Sequence, residues 1–99
     1  MKILNHKILA LIFLITVNYS SAQESFILNY EDVDIKKVTQ DIAQFSKKTI
    51  ILDPRVKGRI TIYSNADLNR NQVWDVYLRT IQVNGFSAIS ESGFVRIVP

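Results

Sequence analysis

What most limits the fold of this chain is a ten-residue apolar run near its start, Ile8 to Val17 (ILALIFLITV). Spanning a bilayer takes about 20 apolar residues, so this run is half a membrane helix. Lys2 and Lys7 stand before or at its edge, and the small residues Ser20-Ser21-Ala22 follow. A positive start, an apolar middle and small residues make a secretory signal, with cleavage expected between Ala22 and Gln23. Residues 1–22 then leave, and residues 23–99 form one domain of 77 residues (99 − 22). That length is close to the lower limit at which burial alone sustains a fold. Exported domains of this size are often stapled by disulfides, yet the chain has no Cys. Packed apolar faces must hold it together.

The apolar pattern supplies such faces. Phe26-Ile27-Leu28-Asn29-Tyr30 reads as a strand with Phe26, Leu28 and Tyr30 on one side, and the acidic stretch Glu31 to Asp34 follows it. Ile35, Val38, Ile42 and Phe45 then recur at helical spacing. Asp34 is placed to cap this helix, and Lys47 and Lys48 to complement the dipole at its end. Thr49 to Leu52 reads as a short strand buried on both faces. Asp53 to Gly58 is turn chemistry, and Arg59 to Ser64 alternates Ile60 and Ile62 against Thr61 and Tyr63. Asn69 and Gln72 have capping-box spacing at the head of a second helix. Its stripe is Trp74, Tyr77, Leu78 and Ile81, widened by Val73, Val76 and Val83, and Gly85 follows as a terminator. Phe86 to Ser90 and Phe94 to Val98 are two strands joined through Glu91-Ser92-Gly93 as a hairpin. The element order is β-α-β-β-α-β-β.

Residue types exclude most chemistry. The one His, His6, lies in the signal, so residues 23–99 hold neither Cys nor His. Thiol and imidazole nucleophiles, imidazole bases and most transition-metal sites are thereby removed. The glycines are too scattered for a phosphate loop. Lys2 and Lys7 also leave with the signal, so 10 basic and 9 acidic residues remain, a net charge of +1. That is no footprint for nucleic acid. Glu31, Asp32 and Asp34 are one carboxylate cluster; a Ca²⁺ site is weighed against a helix start that favours negative charge, and the spacing favours the latter. Trp74 and Tyr77 share a helical stripe with Leu78 and Ile81, which fits core packing better than a ligand platform. The expectation is a protein-binding domain that is no enzyme and needs no cofactor or metal.

From Asp53 onward, "DPRVKGRITIYS" resembles the segment after the first helix in the secretins of type II secretion systems. "FILNYEDVDIKKVTQDIAQFSKKTIILDP", "LNRNQVWDVYLRTIQVNGFSAI" and "SGFVRIVP" are similar in order to that family's other elements. The likeness runs from Ser25 to Pro99. Pilus and type III secretins, and the signalling domain of TonB-dependent transducers, share this small domain. "DPRVKG" and "NGF" favour the type II system, the transducer or pilus domain being the alternative.

The resemblance implies an α+β fold, two helices between a small mixed sheet and a two-stranded antiparallel sheet. It implies the first periplasmic module of an outer-membrane channel, which assembles into a homo-oligomeric ring, docks an inner-membrane component and meets exoproteins. Secretins continue to a β-barrel gate, so the chain looks truncated and is expected to form no pore alone. Docking is expected through an open strand edge and its outward side chains. The candidates are Asn29 and Glu31 on the first strand, Thr61 and Tyr63 on the strand after Gly58, and the basic Arg55, Lys57 and Arg59 for an acidic neighbour.

Overall fold

The structure is a computed structural model that describes residues 24–99. The expected signal and its cleavage pair, Ala22 and Gln23, lie outside the described residues. Seven elements follow one another: β1 (Asn29–Asp34), α1 (Ile35–Ser46), β2 (Ile50–Leu52), β3 (Arg59–Tyr63), α2 (Arg70–Val83), β4 (Ser87–Glu91) and β5 (Phe94–Val98). Strands β1 and β3 pair antiparallel as a two-stranded sheet. The other sheet has the order β2-β5-β4, with β2 parallel and β4 antiparallel to β5. The helices pack on each other; α1 also lies against β1, β2 and β3, and α2 against β4. The expected α+β order and arrangement are present.

Local chemistry sets the helix ends. The Lys36 amide donates to Asp34 Oδ1 at 2.8 Å, which caps α1. Asn69 and Gln72 satisfy each other's backbone amides at 2.9 Å, a complete capping box at the head of α2. Gly85 follows α2 at φ 86°, a conformation that L side chains avoid. Apolar side chains of both helices and both sheets meet in one core: Leu28, Ile35, Val38, Ile42, Val56, Ile60, Ile62, Val73, Tyr77, Ile81, Val95 and Ile97 are buried. Within it a side-chain hydrogen bond joins the two helices, Thr39 Oγ1 to the Tyr77 hydroxyl at 2.9 Å.

Several boundaries differ from the sequence reading, each for a tertiary reason. Phe26 and Leu28 do point inward, but Phe26 makes only an isolated bridge to Leu68, and the ladder with β3 begins at Asn29. The acidic stretch lies inside β1, not after it. Tyr30 faces Ile62 and Val33 faces Ile60, so β1 carries one extra residue, a bulge with Asp32 at φ 53°. The bulge lets two acids stand exposed in succession without burying either.

Strand β2 is not buried on both faces. It is an edge strand, nothing covers its outer face among the described residues, and Ile51 is 46 % exposed. Lys47 does not sit in the last turn of α1; it is the cap itself, left-handed at φ 55°. Lys48 instead places its ammonium 5.1 Å from the Trp74 ring centre. Val83 does not widen the α2 stripe. Two residues past Ile81 it is turned about 200° around the helix, and it is 87 % exposed. Tyr77 is a core residue and Trp74 a half-buried neighbour of it. In the hairpin Glu91 pairs with Phe94, so the loop is Ser92-Gly93 alone.

Candidate docking surface

The two-stranded sheet turns one face to the core and the other outward. Side chains directly opposite in an antiparallel pair share a face. Asn29 is opposite Tyr63, and both are exposed. Ile27, one alternation before Asn29, is 65 % exposed and Tyr63 67 %. Two large apolar side chains thus stand in solvent beside an amide. Glu31 is exposed on the bulge and has no ion-pair partner among the described residues.

Thr61 and Arg59 are occupied within the domain. The Asp32 amide donates to Thr61 Oγ1 at 3.0 Å. Arg59 Nε donates to Asp32 Oδ1 at 2.7 Å, and its Nη2 donates to the Asp32 carbonyl. Together they hold the left-handed residue of the bulge.

Arg55 is occupied as well. It grips Asp53 through Nε and Nη2, both at 2.9 Å, while its amide donates to the same carboxylate at 2.8 Å. The Arg55 side-chain hydrogen bonds, then its amide, hold the Asp53 carboxyl down at about 2. Of the three expected basic residues only Lys57 is exposed without an ion pair among the described residues. The structure therefore brings Asn29, Tyr63 and Thr61 together and does not converge Arg55, Lys57 and Arg59 into a cationic patch.

The third carboxylate of the acidic cluster, Asp34, is spent on the α1 cap. Among the described residues no three His, Cys, Asp or Glu side chains lie close enough to hold a metal ion. No helix of the described residues is long and apolar enough to cross a membrane.

Sequence reasoning missed Ile27, Val76 and Val83 as surface features. Ile27 was signalled by its place between the inward Phe26 and Leu28. Val83 was signalled by its angle to Ile81. Val76 and Val83 line a groove of about 310 Å³ with Thr61, Arg79, Thr80 and Asn84. No local pattern places a helix flank beside a strand 15 residues earlier.

The domain is thus an α+β sandwich with a bulged two-stranded sheet and a three-stranded mixed sheet. The profile of the family described as "GspD-like, N0 domain" matches residues 28–97. The chain belongs to this family. Secretin XcpQ of Pseudomonas aeruginosa is 32 % identical over 72 residues, which cover 73 % of this chain and 11 % of XcpQ. Secretin PulD of Klebsiella pneumoniae is 32 % identical over 89 residues, 89 % of this chain and 14 % of PulD. The chain thus corresponds to a small part of these relatives' length. The solved XcpQN012 structure superposes with a TM-score of 0.75 at 29 % identity, over 80 % of this chain and 37 % of that one. The N0 domain of the type II secretin from enterotoxigenic Escherichia coli gives 0.71 at 26 % identity, over 79 % and 98 %. The expected kinship with type II secretins holds. The N0 family is a component of protein-secretion machinery and not a known family of enzymes.

Proposed function

We propose that this N0 domain is a docking and assembly module of a type II secretin. After export it binds the inner-membrane component of the secretion system and neighbouring copies of itself in a ring, while exoproteins pass to the channel. Residues 1–22 act as the signal, removed between Ala22 and Gln23, and deliver the domain to the periplasm, where the full-length secretin ties it to the outer membrane. This chain alone makes no pore.

The observation that carries the docking reading is the outward face of the β1–β3 sheet, where Ile27 and Tyr63 stand exposed beside Asn29. Exposed aromatic and aliphatic side chains on a rigid sheet are the material of a binding hot spot. The relative PulD is described in an outer-membrane complex with PulS and the HR domain of PulC; that PulD is 31 % identical at a TM-score of 0.64. Such an assembly supports the same kind of partnership here.

The test is a titration of the exported chain with the periplasmic HR-type domain of its own secretion system. Tyr63→Asp is expected to weaken binding at least tenfold with the circular dichroism spectrum unchanged. Equal affinity of variant and parent would mean that the β1–β3 face is not the one that docks. The mass of the chain recovered from the periplasm checks the signal: it should begin at Gln23, and retention of Met1 to Ala22 overturns that part.

A further inference from the structure

The two-stranded sheet is too narrow for the layer it covers. It packs on α1, whereas α2 packs on α1 and β4. One flank of α2 is left over beside β3. Val76, Thr80 and Val83 follow each other at four and three residues, so they form one helical stripe. With Thr61 of β3 they line the groove described above. Val83 is the most exposed of the exposed large apolar side chains.

The two open edges of this sheet are not equivalent. The edge of β1 is guarded: a bulge interrupts it, Asp32 is left-handed, and Glu31, Asp32 and Asp34 are exposed acids. Bulges and charges are how proteins blunt an edge against pairing. Strand β3 carries neither a bulge nor an acid, and its one charge, Arg59, is drawn across to Asp32 of β1. It runs unbroken through Arg-Ile-Thr-Ile-Tyr. Ser64 donates its amide to the Leu28 carbonyl, and Gly58 accepts from the Ile35 amide. Alternation along the strand then turns the amides of Arg59, Thr61 and Tyr63 to the open side. That side is where the α2 groove lies.

We propose that the β3 edge receives an extended segment of a partner protein as a third strand of this sheet. The segment's inward side chains are small and apolar and settle on Val76, Thr80 and Val83. One acidic side chain meets Arg79, the only formally charged residue lining the groove, which has no ion pair among the described residues. Backbone pairing gives affinity in such additions, and the pocket for alternate side chains gives specificity. The inference rests on the docking reading above and adds to it the edge, the partner's backbone conformation and its chemistry.

The experiment titrates the exported chain with the HR-type domain and follows amide hydrogen exchange with and without it. Val83→Asp and Arg79→Glu are each expected to weaken binding at least tenfold; both side chains are exposed, so the fold is retained. Exchange at the Thr61 and Tyr63 amides is expected to slow at least tenfold in the complex. If Tyr63→Asp abolishes binding while Val83→Asp and both amides are unaffected, the partner sits on the sheet face. The strand addition is then overturned and the docking reading stands. If the parent chain does not bind at all, both fall. If the two amides slow with chain concentration in the absence of the probe, the occupant is a second copy of this chain and the proposed partner is wrong.

Discussion

Removing the Tyr77 hydroxyl tests whether the polar link between the two helices inside the core is a stabilising bond or an incidental contact. Tyr77 is 1 % and Thr39 5 % exposed, and their oxygens are 2.9 Å apart. Burial pushes the Tyr77 pKa up, with the Thr39 hydrogen bond opposing, so the phenol is neutral throughout the ordinary pH range. Tyr77→Phe keeps the ring and its packing and removes one oxygen. A neutral intramolecular hydrogen bond contributes about 1 kcal/mol net, and a buried group left without its partner costs about 1–3 kcal/mol. Thr39 lies in α1 and can turn its hydroxyl to a carbonyl one turn back, which places the expected cost at the lower end, about 1.5 kcal/mol. For a domain of this size roughly 4–8 °C of melting temperature accompanies each kcal/mol, so the midpoint should fall by about 6–12 °C. Thr39→Val leaves the phenol orphaned and should cost a similar amount. The double variant removes both partners, so its cost should be well below the sum, with a coupling of about 1–2 kcal/mol. Urea unfolding of the four proteins measures this cycle. Strict additivity, or a Tyr77→Phe protein as stable as the parent, would refute the assignment.

Other expectations are smaller. Lys47 is held left-handed at φ 55°, which costs a side-chain-bearing residue roughly 1 kcal/mol. Lys47→Gly should therefore raise the denaturant midpoint, and a lower midpoint would show that the Lys47 side chain contributes more than the strain. Asn69→Ala removes one half of the capping box on α2 and should cost about 1 kcal/mol in thermal unfolding; no change would mean that tertiary packing alone sets the helix start. Asp53 has its carboxyl pKa lowered from 3.8 to about 2 by Arg55. A depressed carboxyl stabilises the fold above its unfolded value and stops doing so as pH falls through the folded value. Parent and Arg55→Gln should therefore differ modestly at pH 5, because both groups are solvated, and converge between pH 3.8 and about 2. Unfolding curves with an undiminished gap at pH 2 contradict the pairing.

Where short-range periodicity or a cap decided the outcome, the sequence sufficed. Both helices stand where Ile35, Val38 and Ile42, and Val73, Tyr77 and Ile81, recur on one face. Asp34 and Asn69 cap them as their side chains allow. The alternation of Ile60 and Ile62 against Thr61 and Tyr63 is present unchanged in β3. These are properties of neighbours within a turn or two of chain, and the residues themselves carry them.

The candidate surface was only half legible for the opposite reason. Tyr63 and Asn29 were visible as outward positions, but their being opposite each other depends on the β1–β3 register. Arg55 and Arg59 looked like free cations. Asp53 and Asp32 claim them, Asp32 from 27 residues away and only because β1 bulges there.

By itself, then, the sequence determined the elements, their caps, the buried stripes and the lack of Cys and His chemistry. Tertiary structure alone decided which strand lies at an edge, which edge is guarded, which charges are spent inside the domain and which flank of α2 is left open. Side-chain periodicity is written residue by residue, whereas exposure of a sheet edge or a helix flank depends on what packs beside it, and that neighbour comes from distant chain.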